Sequence, residues 1–229
     1  MIFRTTMTTA TLLSIQVGLP QQVNGRAAII GPEQQVWTTA FLKEAVAGPV
    51  WFGRTNIVGD AQASVKTHGG PDKAVCVYPW EHYAFWQREL ELPELVYGAL
   101  GENLTISGQR EDECCVGDIV RIGEVVLQVS QPRPPCWRLA RWWQRKEFAV
   151  LMERTGLTGW YCRVLKEGYA EAGAMVELLE RPQPRWNVLR ANAVLYGDPT
   201  SEDINELLSC EVLAETWRQL LAKRANGGR

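Results

Sequence analysis

Histidine is nearly absent: the 229 residues hold only two, His68 and His82. No His-x-His or His-x-x-x-His pair exists, so the usual chelating spacings are missing. The six cysteines, Cys76, Cys114, Cys115, Cys136, Cys162 and Cys210, include no Cys-x-x-Cys bite. Adjacent Cys114 and Cys115 make a poor pair for a tetrahedral zinc and a strained one for a disulfide. Structural zinc and iron–sulfur clusters are thus disfavoured, and the thiols are too sparse for a disulfide framework. Charge of one sign is lacking too. With 24 Lys and Arg against 26 Asp and Glu, the net charge is −2, which removes the electrostatic basis for a nucleic-acid binder. No apolar run approaches the roughly 20 residues of a membrane-spanning helix. No glycine fingerprint for a nicotinamide or flavin nucleotide occurs. The opening residues lack the apolar core of a secretion signal, so the expected compartment is the cytoplasm with reduced thiols; Met7 is an alternative start.

What the chain has in quantity is tryptophan, 10 residues, which demand a large core or an aromatic-lined pocket. Two compositional regions divide it, expected as a domain over 10–180 and a smaller one over 185–225. The first is rich in β-branched residues and punctuated by Gly and Pro. Strands are expected at Thr11–Val17 and Ala174–Leu179, with a hairpin of Ile119–Ile122 and Val125–Ser130 about Gly123-Glu124. Short strands so separated predict a mostly β fold, closed or partly closed as a barrel, rather than a βαβ array. Two helices interrupt it. One starts at Pro79, with Trp80, Tyr83, Ala84, Gln87 and Leu90 at helical spacing; the other spans Lys146–Arg154. Beyond Pro184, Asn187–Leu195, Glu202–Leu208 and Cys210–Lys223 read as three short helices, with Thr200 and Asp203 as a capping box for the middle one. Leu213, Trp217, Leu220 and Leu221 stripe the last, either to pack or to dock a partner.

Two segments concentrate chemistry. In Lys66-Thr67-His68-Gly69-Gly70-Pro71-Asp72-Lys73, the Gly-Gly-Pro turn admits a ligand close to backbone amides, with His68 at its mouth. An ordinary tight turn capped by His68 is the plainer reading. In Ser130-Gln131-Pro132-Arg133-Pro134-Pro135-Cys136-Trp137-Arg138, the prolines stiffen a loop that presents Arg133, a planar fork for phosphate or carboxylate, beside Cys136. Arg133 and Arg138 would favour a Cys136 thiolate, a nucleophile or soft-metal ligand; the alternative is a small packed hydrophobe. Asn103 in Gly101-Glu102-Asn103-Leu104 is a ligand donor or a loop cap, and Lys43 is by default a solvated surface residue. Trp137, Trp142 and Trp143 fit the core, the rim or a stacking wall for a flat heterocycle.

Together, Lys43 before Val46-Ala47-Gly48-Pro49-Val50, His68-Gly69-Gly70-Pro71-Asp72, Gly101-Glu102-Asn103-Leu104, Val116-Gly117-Asp118 and Ser130-Gln131-Pro132-Arg133-x-x-Cys136 resemble the MOSC domain family, named for the C-terminal domain of molybdenum cofactor sulfurases. The helical tail is similar to that of its stand-alone YiiM-like branch. The resemblance implies a MOSC-type β-barrel with inserted helices followed by a three-helix domain, and a molybdopterin-type molybdenum cofactor. It implies Cys136 as the molybdenum ligand. Arg133 and Lys43 would hold the cofactor, with Gly69, Gly70 and Asn103 beside it, and His68 would give a proton or anchor the cofactor. The implied reaction is reduction of N-hydroxylated small molecules such as hydroxylaminopurine, with electrons from a separate donor protein and no part for nucleic acid or membrane. A non-catalytic carrier of sulfur or cofactor on Cys136 is the alternative. The oligomeric state is not legible.

Overall fold

A computed structural model describes residues 10–24 and 36–227. Met7 lies outside them. The strands are β1 (Ala10–Val17), β2 (Gln21–Asn24), β3 (Val36–Thr39), β4 (Glu44–Ala45), β5 (Val50–Phe52), β6 (Val75–Pro79), β7 (Leu104–Ser107), β8 (Ile119–Ile122), β9 (Val125–Pro132), β10 (Trp160–Lys166), β11 (Gly168–Ala170) and β12 (Met175–Glu180). The helices are α1 (Val65–His68), α2 (Tyr83–Glu89), α3 (Trp137–Trp143), α4 (Phe148–Thr155), α5 (Val188–Tyr196), α6 (Ser201–Leu208) and α7 (Glu215–Ala225).

Seven strands close into a barrel in the order β12-β8-β9-β10-β6-β7-β1, and β1 returns to β12; β4 adds to β1 outside the ring. Every pairing in the ring is antiparallel except β6 with β7. That parallel pair needs a crossover, and residues 80–103 supply it with α2 on the outside. The expected hairpin forms at β8 and β9, where Gly123 turns with φ +60°.

Leu12, Ile15, Val75, Leu104, Ile106, Val125, Leu127, Val129 and Trp160 are buried in the barrel core. All five residues of β6 are buried. Its Tyr78 belongs to a second core with Tyr83 and Trp86 of α2, Leu139 and Ala140 of α3, and Phe148 and Met152 of α4. This second core accounts for α3, in a stretch whose prolines read as loop. Cys136 is its N-cap, and Leu139 and Ala140 follow as the buried face.

The tail helices form as expected, with shifted ends. Asn187 caps α5 by accepting from the Arg190 amide, and Thr200 with Asp203 closes a reciprocal capping box on α6. Leu213, Trp217 and Leu221 are buried with Trp186, Ile204, Leu207 and barrel residue Val116, while Leu220 is exposed. The apolar stripe is therefore spent on packing rather than on docking.

Candidate functional site

The two chemistry-bearing segments meet. A cleft open to solvent is lined by Lys43, Asp60, His68, Lys73, Cys76, Asn103, Arg133, Cys136, Arg138 and Tyr161, among others. Lys43, His68, Asn103, Arg133 and Cys136 were all legible in the sequence. Gly69 and Gly70 do not line the cleft, while Gly101 does. The Gly-Gly pair shapes the turn instead: a Cβ on Gly69 would lie 2.8 Å from the Val65 carbonyl oxygen, and Gly70 turns with φ +95°.

Cys136 differs from every other thiol in the chain. It is half-buried, whereas Cys76, Cys114, Cys115, Cys162 and Cys210 are buried. Burial pushes the Cys76 thiol up, although that residue also lines the cleft, and it pushes Cys115 up to about 11. Cys136 makes no side-chain capping bond to the backbone of its helix, and its side chain faces the cleft. Arg138 Nη1 stands 3.7 Å from Cys136 Sγ and 3.0 Å from His68 Nε2, and His68 Nε2 is 3.8 Å from Sγ.

An arginine only donates, so His68 Nε2 accepts from Arg138 and the imidazole proton sits on Nδ1. Burial, then the charges of Arg138, Arg133 and Lys73, pushes His68 down to about 4. That shift favours the neutral imidazole at physiological pH, with Nε2 accepting from Arg138.

Arg133 is held, not loose. Its backbone N–H donates to Gly159 O at 3.1 Å and Nη2 donates to Leu100 O at 2.6 Å. Nη1 is buried with no hydrogen-bond partner. An unpaired buried donor on a charged group is costly, so a ligand acceptor at this wall would be favoured. The Leu100 turn is itself fixed by Glu102, which accepts from the amides of Gly98 and Leu100 and from the hydroxyls of Thr105 and Tyr83.

Two expectations change on contact with the structure. Lys43 is not a solvated surface residue: its side chain is 7% exposed and pairs with Asp60, which is 1% exposed. Asp60, which the sequence pattern did not flag, also accepts from the Gly18 amide and from Asn103 Nδ2. Asn103 lines the cleft but has no free donor, since Nδ2 also serves Gln16 O and Oδ1 accepts from the Cys76 amide. It braces the start of β7 against β6 and β1.

Four cations, Lys43, Lys73, Arg133 and Arg138, line the cleft with one carboxylate, Asp60, among the described residues. With His68 neutral, the cleft has an excess of positive charge in a chain whose net charge is −2. It suits an anionic ligand. Among the described residues no three His, Cys, Asp or Glu converge to hold a metal, so a metal at Cys136 would have to bring most of its own ligands. No helix among the described residues is long and apolar enough to cross a membrane.

Comparison with known proteins places these features in a group. Residues 64–177 match the profile described as "MOSC domain", and 186–228 match "YiiM-like, 3-alpha helix domain". The chain is 42% identical over 214 residues to the uncharacterized protein YflK of Bacillus subtilis, covering 93% of each chain. It is 40% identical to protein YiiM of Escherichia coli over 83% of this chain and 86% of that one. A protein of Gibberella moniliformis named "Reductase" is 38% identical over 78% of this chain but only 32% of its own length. The crystal structure of YiiM from Geobacillus stearothermophilus superposes with a TM-score of 0.77 at 33% identity, covering 94% of this chain and 99% of that one.

Proposed function

Because the chain belongs to the MOSC family, in the group that carries the YiiM-like three-helix domain, we propose that it is a molybdenum-cofactor-binding reductase of N-hydroxylated small molecules, with Cys136 as the molybdenum ligand. The observation that carries this reading is Cys136 itself, the one thiol of six that is not buried, set in a cationic cleft beside His68 and Arg138.

The donor set fits a molybdopterin-type cofactor. Cys136 offers a single soft sulfur, which suits a metal already held by the cofactor's own dithiolene. The unpartnered Nη1 of Arg133 and the charges of Lys73 and Arg138 match an anionic, acceptor-rich group. Lys43, being paired with Asp60, contributes charge and shape more than a free donor. When bound, the cofactor supplies the two-electron chemistry.

The protein's share is position and proton control. Reduction of an N-hydroxylated amine consumes two electrons and two protons and releases the amine and water. His68 holds its proton on Nδ1 and uses Nε2 to fix Arg138, which in turn stands over the thiol. The fungal relative named "Reductase" supports the reaction class. Electrons come from a separate donor protein.

The test is reduction of hydroxylaminopurine by cofactor-loaded protein driven by a reduced viologen, with Cys136→Ala as control. Amine formation that is lost in the variant supports the reading. Loaded protein without turnover, carrying persulfide on Cys136, would replace the enzyme by a sulfur carrier.

A further inference from the structure

The peptide unit joining Pro132 to Arg133 is tethered from both of its polar atoms, and both tethers lead to the three-helix domain. On the oxygen side, Pro132 O accepts from Gln131 Nε2 at 3.2 Å, and Gln131 Oε1 accepts from Thr216 Oγ1 of α7 at 2.8 Å. The Ala214 amide, just before α7, donates to Ser130 O at 2.9 Å on the same strand. On the nitrogen side, the Arg133 amide donates to Gly159 O, which also accepts from Thr158 Oγ1 at 2.9 Å. Thr158 Oγ1 accepts in turn from Asn192 Nδ2 of α5 at 2.8 Å, and Asn192 also donates to Gly156 O at 3.1 Å.

Gln131, Thr158 and Asn192 are all buried at 1% exposure or less. A domain attached only for stability could use apolar contact, as Trp217 and Val116 do. Buried polar links cost desolvation and repay it only when geometry is kept, so they specify position. Gly159 sets the register of the second link: φ is +68°, and a Cβ there would stand 2.3 Å from Val77 O.

We infer that the three-helix domain is a positioning device for the cleft, in which Thr216 and Asn192 act as positioning residues that fix the Pro132–Arg133 peptide and through it the guanidinium. The inference rests on the placement of Arg133 in the cleft and goes beyond the reaction proposed above. It assigns the domain a part in ligand retention that its distance from Cys136 in sequence hides.

The experiment follows exchange of the Arg133 amide by NMR in the full chain, comparing wild type, Thr216→Val, Thr216→Ser and Asn192→Leu. Loss of one buried hydrogen bond should speed local exchange roughly five- to tenfold. The expected result is that acceleration in Thr216→Val and Asn192→Leu, with β8 amides unchanged and Thr216→Ser close to wild type. Molybdenum retained after gel filtration should fall in the same two variants while turnover per retained metal holds. Unchanged Arg133 exchange, or a rise shared equally by all barrel amides, would overturn the inference. Failure of both variants to fold would also overturn it, because the links would then hold the fold and not the site. Exchange does not depend on the cofactor, so a wild-type protein that retains no molybdenum sinks the reductase reading alone.

Discussion

Lys43 and Asp60 form a buried ion pair in the wall of the cleft, seventeen residues apart in sequence and both almost fully withdrawn from water. Breaking such a pair from one side leaves a buried charge without a partner, at a cost of about 3–5 kcal/mol. Lys43→Met should therefore lower stability by that order in urea melts. The double variant Lys43→Met/Asp60→Asn should recover a good part of it. Equal losses in the single and double variants would mean that the pair is not the source.

Cys136 is half-buried and caps nothing with its side chain. Cys136→Ala should shift stability by no more than about 0.5 kcal/mol, as a surface substitution does. It should abolish reductase turnover all the same. A thermal melt beside the viologen assay separates the two, and turnover at the wild-type rate would remove the thiol from the chemistry.

Arg133→Met keeps much of the side-chain volume and removes the guanidinium. It strips Leu100 O of its partner, costing about 1–3 kcal/mol. The stronger effect should be on cofactor retention, read as molybdenum per chain after gel filtration. If retention holds while turnover per bound metal collapses, Arg133 belongs to the chemical step.

Asp203 closes the capping box on α6 and pairs with Arg190. Hydrogen bonds from Thr200, side chain first and then backbone, with Arg190 after them, hold its carboxyl below the usual range. A depressed carboxyl stabilises the fold above the unfolded-state pKa, and that contribution is lost as pH falls through the folded value. The urea midpoints of wild type and Asp203→Asn should differ at neutral pH and converge on acidification. A gap that persists in acid would point to packing instead.

Local chemistry made part of this molecule legible. The capping box at Thr200 and the turn at Gly123 follow from residue type at short spacing, and the motifs named His68 and Cys136, which line one cleft. The α3 helix did not, because it is seven residues long and depends on Leu139 and Ala140 meeting α2 and α4. Asp60 carried no signal: its role exists only once Lys43, Gly18 and Asn103 surround it. Asn103 was legible as a ligand donor or a loop cap, but its partners Cys76, Gln16 and Asp60 were not, since they come from three separate segments. A closed or partly closed barrel was legible in the short strands, but the strand pairs that close it were not, because periodicity says that a strand exists but not which strand it joins.

That closure has a kinetic side. The ring is completed where Ala10 lies opposite Val176, so the first strand among the described residues pairs with the last strand of the barrel. Contacts so distant in sequence must wait for the intervening chain, which slows folding and leaves early strands exposed in the meantime. The β8–β9 hairpin and the α5–α7 helices close over short loops and form without that delay. Assembly thus ends, rather than begins, at β1.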